Sequence, residues 1–257
     1  MADKIRIKNL CKTFVEKSGE TKVLDNISLD VKENEFLVLL GPGQCGKTVL
    51  LNILAGLDTP TSGTINYIKG NENGKEDIKE MKMGEIGMVF QKYALFPWKT
   101  VIENVEMSQK LKGIDKEQRR KSARNYIKLV GLENFEDSYP KQLSGGMKQR
   151  VGIARAYASE SDILLMDEPF GALDAQTRYQ MGEEILKMWR KDKRTVIFVT
   201  NNIEEAIYLG DRIILLSGCP ATVKAEYIPK LERPRDYMAL EFLQLRKEIA
   251  DNTDLAL

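Results

Sequence analysis

The run Gly41-Pro42-Gly43-Gln44-Cys45-Gly46-Lys47-Thr48 constrains this chain more than any other stretch. It follows the continuous apolar segment Phe36-Leu37-Val38-Leu39-Leu40 and precedes Val49, Leu50, Leu51, Ile53 and Leu54, whose spacing is helical. Glycine, four residues, then Gly-Lys-Thr, set between a buried strand and a helix, is the pattern of a phosphate loop. Small residues let backbone N–H groups close around phosphate oxygens, and the helix N-terminus adds a positive dipole. In that setting Lys47 neutralises β and γ charge and the Thr48 hydroxyl can ligate Mg²⁺. A glycine turn that merely opens a helix is the competing interpretation, and the flanking pattern argues against it. No base stands beside Cys45 in the sequence, so this residue is expected to lend its backbone to the loop rather than act as a reactive thiol.

The 257 residues allow one or two domains on a soft prior of about 150 residues each. With 42 % hydrophobic and 30 % charged residues, the collagen-like, disordered and disulfide-scaffold classes drop out. Lysine plus arginine (39) nearly cancels aspartate plus glutamate (38), so a net charge of +1 offers no global field to recruit nucleic acid, and no nucleic-acid partner is expected. Any anion site must be local. The apolar runs are far shorter than the roughly 18 to 20 residues a bilayer requires, and Met1-Ala2-Asp3-Lys4-Ile5-Arg6 lacks the apolar stretch of a secretory signal. Three scattered cysteines (Cys11, Cys45, Cys219) fit a reducing cytoplasm. Histidine is absent, which makes zinc chemistry and a Ser/His/Asp triad poor starting points.

Along the chain, Ile5, Ile7 and Leu10, then Val23, Leu24, Ile27, Leu29 and Val31, form alternating segments that predict antiparallel strands at one edge. After the loop and its helix, a turn cluster at 58–63 leads to an expected strand over 64–68, a polar excursion to about Gly84, and another strand over 86–90. From Thr100 to Tyr139 the chain turns helical and polar. The charged run Glu117-Gln118-Arg119-Arg120-Lys121 is expected to be a solvated helix face. Residues 162–167 and 195–200 predict buried parallel strands, each followed by a helix, and 212–217 a further strand. The expected class is α/β. A P-loop domain fills residues 1–230, with a helical subdomain inserted over about 92–158, and 231–257 forms a surface appendage.

Two further constellations carry chemistry. Ile163-Leu164-Leu165-Met166 ends in Asp167 and Glu168, and ligands gather at the carboxyl ends of strands in parallel sheets. Asp167 would hold Mg²⁺ and Glu168 would orient and polarise an attacking water; by itself, such a pair can also be a solvated strand end. Leu143-Ser144-Gly145-Gly146-Met147-Lys148-Gln149-Arg150 opens a helix that Ser144 can cap.

At this point the chain resembles the ATP-binding cassette (ABC) ATPases. The octet from Leu143 looks like that family's signature motif. The phosphate loop, Gln91, the Asp167-Glu168 strand and Ala172-Leu173-Asp174 occur in the family's order, across residues 3–217. The resemblance implies a P-loop NTPase fold that binds ATP and Mg²⁺. It further implies that Phe14 stacks on adenine, although by its residue type alone it could be a core aromatic. Residues Gly41 to Val49 would cradle the phosphates, with Thr48, Gln91 and Asp167 as metal ligands and Glu168 as the catalytic carboxylate. Ser144, Gly145 and Gly146 would bind the γ-phosphate of ATP held by an opposite protomer, so a second ABC ATPase subunit, identical or not, is required; Asp174 would lie at that seam.

Where the family carries histidine after the last core strand, this chain has Thr200-Asn201-Asn202. Asparagine can donate a hydrogen bond to a γ-phosphate but cannot carry charge or relay a proton, so slow hydrolysis is expected. Gly43 and Gln44 stand where the family shows Ser and Gly, and Val49 replaces a hydroxyl residue. The segment Tyr93-Ala94-Leu95-Phe96-Pro97-Trp98-Lys99-Thr100-Val101, with Glu103-Asn104-Val105, resembles importers of nitrate, sulfonate, taurine and related solutes. In these, it borders the groove that receives a permease helix; Phe96 and Trp98 could anchor it or belong to the subdomain core. The implied partners are integral-membrane permease subunits and, indirectly, a solute-binding protein, at the cytoplasmic face of the membrane. Two alternatives remain open: a catalytically weak or silent member of a heterodimer, and a soluble ABC ATPase of DNA repair or translation. The second would usually bring tandem cassettes or a coiled-coil insertion.

Overall fold

The computed structural model describes residues 2–17, 19–70, 76–79, 85–92, 94–171 and 173–253. Tyr93, Ala172 and most of the polar excursion before residue 85 lie outside them. In chain order the elements are β1 (Asp3–Glu16), β2 (Gly19–Lys32), β3 (Phe36–Leu40), α1 (Lys47–Leu54), β4 (Ser62–Gly70), β5 (Glu76–Lys79) and β6 (Gly87–Val89). Then come α2 (Val101–Val105), α3 (Met107–Leu111), α4 (Lys116–Leu129), α5 (Gly145–Ala158), β7 (Ile163–Asp167) and α6 (Ala175–Lys191). The chain ends with β8 (Thr195–Thr200), α7 (Ile203–Leu209), β9 (Arg212–Leu216), β10 (Val223–Tyr227) and α8 (Leu240–Asn252). These form two compact units, one of Met1–Glu85 with Arg194–Leu257, the other of Ile86–Lys193. The helical segment expected over about 92–158 falls inside the second unit, together with β6, β7 and α6.

The first unit contains the expected antiparallel edge, a sheet ordered β2-β1-β4-β5. It also holds the strands β10-β9-β3-β8, in which β3 runs parallel to β8 and β9, and β10 antiparallel to β9. Every residue of β3 and β8 is buried, which is why these segments read as unbroken apolar runs rather than alternating ones. The sequence did not announce β10. Its Lys224 and Glu226 break any apolar period, a composition suited to a sheet edge that must not pair further.

The tail beyond residue 230 is anchored by arginines and aromatics. Arg233 donates to Asp211 at 2.5 Å, and buried Arg235 donates to the carbonyls of Ile207 and Gly210, the latter at 2.6 Å. These carbonyls end α7, where the last turn of a helix leaves acceptors unsatisfied. Tyr237 stacks on Tyr208 with centroids 4.6 Å apart, and Phe242 and Ile249 bury the inner face of α8.

In the second unit β6 and β7 pair in parallel, with Val89 opposite Met166. Thr100 caps α2 in a reciprocal box with Glu103. The charged run on α4 is less solvated than its composition suggests. Arg119 and Arg120 both reach the buried carboxylate of Glu106, at 3.1 and 3.7 Å, so the run contributes to subdomain packing.

Candidate nucleotide site

In the first unit, β3 delivers the chain into the loop at Gly41, and α1 begins at Lys47. Lys47 is 4 % exposed and its ammonium folds back over the loop, donating to the carbonyls of Gly41 at 2.9 Å and Pro42 at 2.7 Å. An ammonium held at the loop by these carbonyls is placed to form charge-assisted hydrogen bonds with an incoming phosphate. Gly46 takes φ +116°, and a Cβ there would come within 2.9 Å of Val23, so only glycine fits. Gln44 holds φ 62° without that freedom, in the left-handed region that favours glycine. Gly43 has open space around its Cα. Cys45 is buried and desolvation pushes its thiol pKa up, consistent with a backbone role. The Thr48 side chain is exposed, with Val49 half-buried behind it.

Asn201 lies beside this loop. Leu40 pairs with Thr200, and the Gly41 N–H donates to the Thr200 carbonyl at 3.4 Å. The turn that follows is fixed by three bonds. The Thr200 hydroxyl donates to Glu205 at 2.6 Å and accepts from the Asn202 N–H at 3.0 Å, while the Asn202 side chain accepts from the Glu205 N–H at 2.9 Å. Asn201 itself is exposed. Phe14, 37 % exposed on β1, is no core aromatic.

In the second unit, Asp167 ends β7 with 3 % exposure and Glu168 follows at φ 41°. Gln91, two residues beyond β6, donates from Nε2 to Glu168 Oε2 at 3.3 Å, as the parallel register of the two strands allows. Ser144 caps α5 by accepting from the Met147 N–H at 3.3 Å. Gly146 packs against Leu173, where an added Cβ would stand 3.2 Å from its Cδ2. Asp174 caps α6; the N–H and hydroxyl of Thr177 hold its carboxyl below the usual carboxylate range.

The metal ligands that the resemblance implies lie on different units, Thr48 on the first and Gln91 and Asp167 on the second; by donor type, one carboxylate with neutral oxygens, they are the sparse protein set that Mg²⁺ accepts when phosphates and water complete its shell. The described residues contain no group of three or more His, Cys, Asp or Glu able to hold an ion unaided.

The ABC transporter family model matches residues 24–171, more than half of the chain. The chain belongs to the ABC transporter family. As such it is an ATP-binding subunit and an ATPase, and its α/β architecture is that of the P-loop cassette. It is 44 % identical over 222 residues to the nitrate import ATP-binding protein NrtD of Synechocystis, covering 86 % of this chain and 81 % of that one. It is 41 % identical to the aliphatic sulfonates import ATP-binding protein SsuB of Bacillus cereus, covering 95 % and 94 % of the two chains. A solved cassette dimer in a post-hydrolysis state, bound to ADP and Pi, superposes with a TM-score of 0.76 at 34 % identity, covering 88 % of this chain and 99 % of that one.

Two features of the site were not foreseen from sequence. Glu205 fixes the turn bearing Asn201, and its signal was its place in the first turn of α7, three residues after the cap Asn202. Asn104, 0 % exposed, clamps the Pro-Trp segment: its Nδ2 donates to the carbonyls of Phe96, Lys99 and Thr100, and its Oδ1 accepts from Phe96 N–H at 2.8 Å. The segment that it holds presents Trp98 at 70 % exposure, so this ring is not core.

Proposed function

We propose that this subunit binds Mg-ATP between two ABC ATPase protomers and hydrolyses it slowly to drive uptake of a small solute such as nitrate, a sulfonate or taurine through a partner permease. The observation that supports this most is the rung between Gly41 and Thr200, which sets Asn201 beside the loop that Lys47 closes. In this reading Phe14 receives adenine, and residues 41–49 receive the phosphates. Ser144, Gly145 and Gly146 of a second subunit close over the γ-phosphate. Thr48, Gln91 and Asp167 would hold Mg²⁺, which would screen phosphate charge when bound. Glu168 accepts a proton from the attacking water at its carboxylate, with Gln91 orienting it. Asn201 donates a neutral hydrogen bond where the family has histidine, which loses one charged contact in the transition state.

The exposed Trp98, its ring tilted against that of Phe96 with centroids 5.8 Å apart, supports a permease helix as the occupant of that surface. Among the described residues no helix is long and apolar enough to cross a membrane, and the subunit is assigned to the cytoplasmic face through its permease, with a solute-binding protein acting indirectly. The relatives' nitrate and sulfonate import support the solute class. Asn201 also favours a second reading, a weak or silent member of a heterodimer. Co-purification with the membrane chain, followed by ATPase assays of wild-type and Asn201→Ala complexes in liposomes, tests the proposal. Solute-stimulated hydrolysis that falls in the variant is expected; an ATP-independent complex with no turnover would favour the silent reading.

A further inference from the structure

Lys12, Phe14 and Asp58 make an assembly on the first unit that no motif explains. The Lys12 ammonium sits 4.7 Å from the centroid of the Phe14 ring. It also donates to Asp58 Oδ1 at 2.6 Å and to the Thr59 carbonyl at 2.7 Å. Lys12 is 9 % exposed while the ring keeps 37 %, so the cation is largely desolvated yet leaves the aromatic reachable. Cation–π attraction strengthens as water is removed from the cation.

Both ends of this assembly reach the phosphate-loop helix. At its far end, the N–H groups of Leu57 and Asp58 donate to the Asn52 carbonyl in α1, at 2.9 and 3.3 Å, so Asp58 is bound to the last turn. At its near end, Gly46 lies against Val23 and Leu24, and Leu24 is the cross-strand partner of Lys12. The ammonium keeps the Asp58 carboxyl below the usual carboxylate range, which maintains the anchor at neutral pH.

We propose that Lys12 is a positioning residue for base recognition: anchored on Asp58 and Thr59, its ammonium fixes the Phe14 ring relative to the helix that starts at Lys47. A purine can then stack on the ring while its phosphates reach the loop, with the ring's rotational freedom already removed. The inference rests on the assignment of Phe14 to adenine made above.

Calorimetric titration of the full chain with Mg-ATP and with magnesium tripolyphosphate, which lacks a base, separates the two. Lys12→Met keeps an unbranched side chain without charge. It is expected to weaken ATP roughly five- to tenfold while tripolyphosphate affinity stays within about twofold. Lys12→Arg restores most of the loss, and Lys12→Met in a Phe14→Ala background adds less than about twofold. Equal losses for both ligands, or the same loss with Phe14 absent, would overturn the positioning role. If Phe14→Ala weakens ATP but Lys12→Met does not, this inference alone fails. If Phe14→Ala leaves ATP binding unchanged, the adenine assignment falls and takes the inference with it.

Discussion

The N–H of Gly41 donates to the carbonyl of Thr200 at 3.4 Å, tying the first glycine of the phosphate loop to the residue that precedes Asn201. Because Thr200, Asn202 and Glu205 lock the intervening turn, the residue at 201 is presented from a fixed scaffold. Asn201→His should therefore restore charge without rebuilding the turn. The account expects steady-state kcat to rise by about 10² to 10³ with nucleotide affinity little changed. A histidine variant no faster than the parent contradicts the role given to Asn201.

Gln44 at φ 62° occupies backbone space that costs an L-residue roughly 1 to 2 kcal/mol. Gln44→Gly should raise the unfolding free energy by up to about 1 kcal/mol, the relief being offset in part by glycine's greater freedom when unfolded. Gln44→Val, branched at Cβ, should lower it by at least about 1 kcal/mol. Urea denaturation of the three proteins measures the order, and an order in which valine is as stable as glycine would contradict it.

Asn104 and Trp98 should separate folding from coupling. Asn104→Ala removes four side-chain hydrogen bonds to the backbone of the Pro-Trp segment, leaving the Phe96 N–H and the Lys99 carbonyl without this partner, and is expected to cost roughly 2 kcal/mol in denaturant unfolding. Trp98→Ala removes an exposed ring and should change stability by less than about 0.5 kcal/mol, while reducing permease-stimulated ATPase in the reconstituted complex. Full stimulation of the Trp98 variant would remove this surface from the coupling account.

What the sequence made visible and what it hid divide along physical lines. Strands β3, β7 and β8 were legible because each is buried along its whole length and so written as an unbroken apolar run. The helix start at Ser144 was legible because capping is local chemistry. The grip of Lys12 on Asp58 spans 46 residues, and no periodicity encodes a polar contact that distant. The anchoring by Arg233 and Arg235 is hidden in the sequence for the same reason, because the Leu209 and Ile207 carbonyls that they reach belong to α7 and carry no side-chain signal. The left-handed backbone of Gln44 and Glu168 was hidden for a related reason: neither residue type prefers that conformation, so tertiary context imposes it.

Glu168 accepts from Gln91 at 3.3 Å, and Glu168→Gln keeps this shape while removing the carboxylate that we propose takes up the proton. Light scattering of the purified Glu168→Gln subunit, with and without saturating Mg-ATP, tests the central claim most directly. If ATP is clamped between two protomers, the molar mass doubles when nucleotide is added and returns when it is removed. A mass that stays at one chain in saturating Mg-ATP, with binding confirmed by calorimetry, would contradict the claim.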